Sequence, residues 1–440
     1  MGDNNFTLAV VQDPIEPRLI FVGTENGLFV SLDEGKTYTK WTSEYPAGVP
    51  TMDLVIHPRE HDLVIGTFGR AIYVLDDIRP LRALAKQGTQ LLASTVHVFT
   101  PPDAYQVTFQ DPAGILFPGN AMFQGENRAS GALISYVVNK PAEKKEVVPP
   151  VKADTKKGTP KKSDPVVEAK PAEKKEKPES KVKYDSVKLE VFNAGGTLIN
   201  TIRQKAPEDN GLSRMTWAMN EKAERNPSRE RQAQQGRGGG GDRFGGTSVL
   251  PGTYKLRLTF GDQKDSTTIQ VKADPRMNVS PGVLEQRYNI LKDLQKLTAA
   301  ATQATDRLRE SMEIVEEFEK KIKDSKRTDL KDATDKTKQM KDSLNTLFDA
   351  ILGKVDKRQG IVRSPDPTPV SYIQTARGYV ARSNEPISDT DRRVYKHAED
   401  KMSEVVKRIN GFYASAWPAY RATMEKVNLS PFKDYEPIKN

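Results

Sequence analysis

Three groupings in this 440-residue sequence have residue types and spacing that could do chemistry. The first is His57-Pro58-Arg59-Glu60-His61, which spells the zinc-ligating pattern H-x-x-E-H. That chemistry needs a helix, so that both imidazoles project from one face toward the metal. Here Pro58 follows the apolar run Leu54-Val55-Ile56, and Asp62 leads straight into Leu63-Val64-Ile65. The context predicts a turn between two strands, and no metal site is expected. His97 and His397 lie far away in sequence and add no ligand cluster. The second grouping is Arg70, Asp76 and Asp77, with Arg79 beside them. Two positioned carboxylates are what glycoside hydrolysis requires, but neighbouring residues of a strand point to opposite faces. Arg70, Asp76 and Asp77 are therefore a weak candidate site, and turn capping or pairing with Arg79 is the simpler role. The third is the glycine-rich run ending Gly236-Arg237-Gly238-Gly239-Gly240-Gly241. It has no Gly-Lys-Ser/Thr ending and no helix after it, so it reads as a spacer and not as a phosphate loop. No catalytic residue, cofactor-binding residue or metal ligand is assigned, and no cofactor is expected.

The elements that would position these residues begin with an internal repeat. Leu19-Ile20-Phe21-Val22-Gly23-Thr24 with Gly27-Leu28-Phe29-Val30 recurs as Leu63-Val64-Ile65-Gly66-Thr67 with Ala71-Ile72-Tyr73-Val74. The spacing of about 43 residues is that of one four-stranded propeller blade. Directly after the first copy comes Ser31-Leu32-Asp33-Glu34-Gly35-Lys36-Thr37-Tyr38, an S-x-D-x-G-x-T turn pattern of the Asp-box kind, with Tyr38 in the usual tryptophan position. In such a turn Asp33 accepts backbone N–H bonds, Gly35 supplies a positive φ and the aromatic packs. The structural residues expected are Ser31, Asp33, Gly35, Thr37 and Tyr38. Two blades cannot close a propeller, and an open pair leaves faces and edges unburied.

Leu133–Val138, Val187–Phe192 and Thr253–Phe260 read as strands, the last with Tyr254, Leu256, Leu258 and Phe260 on one face and Lys255, Arg257 and Thr259 on the other. Together they predict an immunoglobulin-like β-sandwich over 95–277. Two stretches interrupt it. Residues 140–183 carry 14 Lys against 8 Asp and Glu, and repeat Lys-Pro-Ala-Glu-Lys-Lys-Glu. Residues 221–246 carry 6 Lys and Arg against 4 acids. Their compositions predict disordered insertions. They hold +8 of the chain's +9 charge, so the basic balance belongs to linkers and no nucleic-acid face is expected. From Pro281 the apolar period becomes helical: Leu284, Tyr288, Leu291, Leu294, Ala301, Leu308, Met312, Val315 and Ile322, a second helix near 328–353, a shorter one near 370–383 and a long one from Asp389, a candidate N-cap, through Trp417. Short connections imply an antiparallel helical bundle. Phe412, Tyr413, Trp417 and Tyr420 follow the apolar stripe and are expected to pack against the sandwich, with a carbohydrate or partner platform as the alternative. The expected architecture is thus multidomain β plus α: the last two blades of a propeller (1–94), the sandwich (95–277) and the bundle (278–440).

The Asp-box hairpin, the run Gly66-Thr67-Phe68-Gly69-Arg70-Ala71-Ile72-Tyr73-Val74-Leu75-Asp76-Asp77, the Leu250-Pro251-Gly252-Thr253-Tyr254 strand start and the helical tail together resemble bacterial sortilin-like proteins with BNR/Asp-box repeats, also described as glycosyl-hydrolase-like. The resemblance is to their C-terminal portion. It implies an exported, extracytoplasmic bacterial protein, although Met1–Asn5 opens no signal peptide. The chain has no Cys, so it lacks the Cys-rich module of eukaryotic sortilins, and receptor function is not carried over; thiol chemistry is excluded as well. The function implied is a non-catalytic scaffold or interaction protein, part of a longer or composite propeller. The alternatives are the C-terminal portion of a propeller glycosidase whose catalytic residues lie in other blades, and an accessory subunit completing a propeller with a second chain. The expected partner is a protein, with carbohydrate as a second class, and no integral membrane segment is expected at a mean hydropathy of −0.64.

Overall fold

The computed structural model describes residues 5–107, 129–141, 183–230, 245–325, 327–354, 367–382 and 385–427. The Lys/Pro-rich residues 142–182 and the glycine-rich residues 231–244 lie outside the described residues. The architecture is mixed β and α, with several antiparallel sheets and a C-terminal helical region. Two compact units divide the chain. One gathers Met1–Ala104, Asp111–Trp217 and Thr253–Gln270; the other gathers Tyr105–Gln110, Ala218–Gly252 and Val271–Asn440.

In the first unit, β1 (Thr7–Gln12), β2 (Ile20–Thr24), β3 (Gly27–Ser31) and β4 (Thr39–Lys40) form a four-stranded antiparallel sheet in chain order. The second copy of the repeat forms a three-stranded sheet from β5 (Thr51–Ile56), β6 (Leu63–Thr67) and β7 (Ile72–Leu75). Side chains alternate between faces, so Phe21, Leu28 and Val30 from the first sheet share one core with Leu54, Leu63 and Ile65 from the second. Gly23 is required where they meet: a Cβ there would lie 2.6 Å from the Thr51 carbonyl oxygen. After β7 the chain turns into α1 (Arg79–Gln87), with Pro80 in its first turn and Leu81, Leu84 and Ala85 closing the same core.

The remaining strands are β8 (Val96–Val98), β9 (Ala104–Gln106), β10 (Ala132–Val138), β11 (Ser186–Phe192), β12 (Leu198–Lys205), β13 (Gly211–Trp217), β14 (Gly252–Phe260) and β15 (Gln263–Ala273), all of the first unit except Tyr105 and Gln106 of β9, Gly252 of β14 and residues 271–273 of β15. They make a three-stranded sheet, β13-β10-β8, and a five-stranded one, β12-β11-β14-β15-β9. All of β10 is buried. On β11 and β14, Leu189, Val191, Leu256, Leu258 and Phe260 are fully buried while Lys255 stays exposed. Each such side chain contributes roughly 1.5–3 kcal/mol relative to exposure.

The second unit is built on α2 (Pro281–Ser325), α3 (Lys331–Leu352), α4 (Pro369–Arg382), α5 (Asp389–Ala414) and α6 (Ala416–Met424). Leu294, Ala301, Leu308, Val315 and Ile322 of α2 meet Leu344, Ile351, Ile373, Ala398 and Met402 in one core. Two helix boundaries differ from the sequence expectation. The N-cap of α5 is Ser388 and not Asp389: Ser388 Oγ accepts from the Asp391 amide at 3.2 Å, and the Asp391 carboxylate accepts from the Ser388 amide at 2.8 Å. This reciprocal box satisfies two amides that the first turn leaves free. The last helix also breaks at Ser415, because Pro418 has no N–H to give the Ala414 carbonyl and its ring would clash there. The four aromatics Phe412, Tyr413, Trp417 and Tyr420 pack on the core of the helices themselves.

Residues 218–230, which composition assigns in part to a disordered insertion, are ordered in this unit. Arg225 pairs with Asp306 and Arg229 with Asp349. Glu221, buried, accepts from Tyr288 and Lys292. The carbonyls of Lys222 and Arg225 accept from Gln295 at 2.8 Å and Thr302 at 2.6 Å. Composition reports how little apolar surface this segment has; it does not report that α2 and α3 supply complementary charges.

Candidate functional site

The hairpin after β3 is organised by Asp33. Its Oδ1 accepts from the Thr37 amide at 2.9 Å and from Ser31 Oγ at 2.8 Å, and its Oδ2 accepts from Thr37 Oγ1 at 2.6 Å. Ser31 Oγ in turn accepts from the Gly35 amide at 2.9 Å. The bonds from Thr37, above all from its hydroxyl, and from Ser31 hold the Asp33 carboxyl down at about 2. Gly35 sits at φ 84°, and a Cβ there would stand 2.9 Å from the Tyr38 hydroxyl. Both carboxylate oxygens of Asp33 are thus engaged in fixing the turn, with Ser31, Gly35, Thr37 and Tyr38 gathered around them.

Arg70, Asp76 and Asp77 are not brought together. Arg70 precedes β7 and the two aspartates follow it, at opposite ends of a four-residue strand that is roughly 13 Å long. Asp77 is buried and accepts from Arg79 Nη1 at 2.9 Å, its amide donates to Asp62 at 2.9 Å, and its carbonyl accepts from Arg214 at 2.8 Å. Asp77 therefore anchors a chain reversal, where it adopts φ 50°.

H-x-x-E-H stands in a turn. His57 Nδ1 accepts from the Glu60 amide at 3.0 Å, and the His61 amide donates to the His57 carbonyl at 2.9 Å. Among the described residues no group of three or more His, Cys, Asp or Glu could hold a metal ion. His61 Nδ1 is buried with no hydrogen-bond partner. Burial, and then the positive charges of Arg79 and Arg82, lower its pKa below the ordinary value, against the opposing pull of Asp77 and Asp13. His97 pairs with Asp265 at 3.0 Å, and His397 stacks on Tyr372 at 4.4 Å.

One constellation escaped the sequence reading. Asp13, fully buried, receives the Ile15 and Glu16 amides on Oδ1 at 2.9 and 2.7 Å, and Arg82 of α1 on Oδ2, with Nη2 at 2.7 Å and Nε at 2.9 Å. The pair ties the turn after β1 to α1, sixty-nine residues on. Asp13-Pro14 signals a turn, but nothing local points to Arg82. Its chemistry is structural: both oxygens of the Asp13 carboxylate are engaged within the fold.

No family model matches the sequence, and no curated protein matches it. Among solved structures the chain is similar, at a TM-score of 0.14 and 10% identity, to the extracellular domain of a proposed one-component system from B. thetaiotaomicron. The match covers 63% of this chain and 26% of that one, so the chain spans about a quarter of that protein's length. A likeness at that level carries no argument about activity. Among the described residues no helix is long and apolar enough to cross a membrane.

Proposed function

We propose that the chain is a non-catalytic, extracytoplasmic scaffold or interaction protein of the sortilin-like propeller type, in which the two repeat sheets are blades of a longer or composite propeller. One observation carries this reading: the two sheets share a core through their facing sides and keep apolar rows on the other sides. On the first sheet Val10 pairs with Val22 and Val22 with Phe29, on the face opposite Phe21 and Val30; Val22 at the centre of this row is buried, while Val10 at its edge is 62% exposed and Phe6, ahead of the strand, 69%. On the second, Val55, Val64 and Val74 form a cross-strand row, with Val55 53%, Val74 55% and the adjacent Ile72 67% exposed. Blades stack face to face, and apolar rows on both outer sides are what an interior pair of blades presents. The engagement of Asp13, Asp33 and Asp77 in turns and ion pairs supports the non-catalytic part of the reading.

The test is native purification followed by mass spectrometry and limited proteolysis. Co-purification of further repeat-bearing polypeptide, with protection of residues 5–78, is the expected result. A chain that is monomeric and alone, with residues 5–78 resistant to protease and Val55→Lys without effect on its solubility or stability, overturns the reading.

A further inference from the structure

The five-stranded sheet of the first unit carries a cleft of about 550 Å³ that the scaffold reading does not use. Such a volume lies within the range of small-molecule sites. Its walls are supplied by Phe192 and Asn193 at the end of β11, Thr253, Lys255 and Arg257 of β14, and Thr268 of β15. The register explains why these meet: Phe192 pairs with Lys255 and Glu190 with Arg257, which puts the aromatic and both cations on the side of the sheet opposite the buried Leu256 and Leu258.

The cations are differently held. The Arg257 guanidinium lies 4.6 Å from the Phe192 ring centre and donates through Nε to Glu190 at 2.9 Å. Glu190, itself buried, also receives Lys188 at 3.2 Å. Burial alone would raise the Glu190 pKa; the bonds from Arg257 and Lys188 outweigh it and hold the value below the ordinary one. Arg257 is thereby fixed in place with its remaining N–H groups uncommitted to Glu190. Lys255 is exposed, and no salt bridge among the described residues involves it. Among the described residues no acidic side chain lines the cleft. Beside the cations stand the side-chain amide of Asn193, whose Oδ1 is taken by the Thr197 amide at 2.9 Å, the hydroxyl of Thr253, which donates to Gln270 Oε1 at 2.6 Å and is left as an acceptor, and the hydroxyl of Thr268.

We propose that this cleft binds a small acidic sugar: its anionic group on Lys255 and Arg257, its hydroxyls on Asn193, Thr253 and Thr268, and its C–H face against Phe192. Two cations without a lining carboxylate select for an anion. A row of amide and hydroxyl groups next to an aromatic edge suits a polyhydroxylated ring better than a bare inorganic ion. The proposal stands apart from the propeller reading, since all six residues lie on the five-stranded sheet or, for Asn193, directly after its strand β11, and either can fail alone.

Calorimetry on the full chain tests it with four probes: a glucuronate-containing disaccharide, a sulfated disaccharide, a neutral glucose disaccharide and inorganic phosphate. Hydrogen–deuterium exchange reports the location. One or both acidic disaccharides should bind and protect peptides covering 186–200 and 252–270; which of them binds tells a carboxylate from a sulfate source. Lys255→Glu should weaken that binding at least tenfold, and Thr268→Val severalfold. Lys407→Glu, the same charge change on an exposed position of α5, should leave it unchanged. No acidic binding, equal binding of the neutral sugar, phosphate binding as tight as either disaccharide, or equal effects of Lys255→Glu and Lys407→Glu would each overturn the assignment.

Discussion

Replacing Arg82 by Met removes one half of the Asp13–Arg82 pair while keeping most of the side-chain volume. Asp13 is 0% and Arg82 10% exposed at the side chain, so the abandoned carboxylate has no water to turn to. Removing one partner of a buried pair costs about 3–5 kcal/mol. Asp13 keeps the Ile15 and Glu16 amides, which places the expected loss near the lower end, ~3 kcal/mol. At roughly 2–4 °C per kcal/mol for a unit of this size, the midpoint of thermal unfolding should fall by about 6–12 °C. The assay can be made specific to the first unit. The three tryptophans are Trp41, Trp217 and Trp417, and the first two lie in that unit, so fluorescence in a Trp417→Phe background follows it alone. Asp13→Asn combined with Arg82→Met removes the stranded charge and should recover about half of the loss, because replacing both partners is far less costly than removing one. A loss under ~1 kcal/mol for Arg82→Met, or no recovery in the double variant, refutes the view that this pair holds α1 to the first sheet.

Three further outcomes are expected. The Asp33 carboxyl should titrate near 2 by NMR, and Thr37→Val should move it up toward the usual carboxylate range; being depressed in the folded state, Asp33 favours the hairpin above its unfolded pKa, and that contribution is lost only as pH falls through about 2. His61 has the opposite sense: its folded pKa lies below 6.5, so the unfolded chain takes up its proton first and the first unit should lose stability as pH falls below 6.5. His61→Asn, which tolerates the positive φ of 61° at that position, should flatten this dependence in urea titrations at pH 5.5 and 7.5. Arg225→Ala with Arg229→Ala should expose residues 218–230 to protease while leaving the helical content of α2 and α3 intact by circular dichroism; unchanged cleavage would mean that the ion pairs do not hold the segment.

Local order was legible wherever periodicity carried it. The alternation of Tyr254, Leu256, Leu258 and Phe260 predicts a buried face, and these residues are 8%, 0%, 0% and 0% exposed. The stripe from Leu284 to Ile322 predicts α2: Leu291, Leu294, Ala301, Leu308, Val315 and Ile322 are buried, Leu284, Tyr288 and Met312 only half-buried, and the polar Arg287, Thr298, Thr305, Arg309 and Ser311 are buried as well. The H-x-x-E-H turn was legible too, because Pro58 and the flanking strands outweigh the motif. Helix ends were less so: Ser388 outbids Asp389 as N-cap because Asp391 can answer it three residues later, and Pro418 marks a break that the apolar stripe conceals.

What the sequence determined by itself, then, is what acts over a few residues: strand alternation, helical stripes, the Ser31–Tyr38 turn and the chemistry that the absence of Cys excludes. Only the tertiary structure decided which distant charges meet. Arg82 reaching Asp13, Arg225 and Arg229 reaching Asp306 and Asp349, and Lys255 standing across from Phe192 all depend on strand register and helix packing. A charge carries no period, and one Lys or Arg among 68 is marked only by the carboxylate or cleft that folding sets beside it.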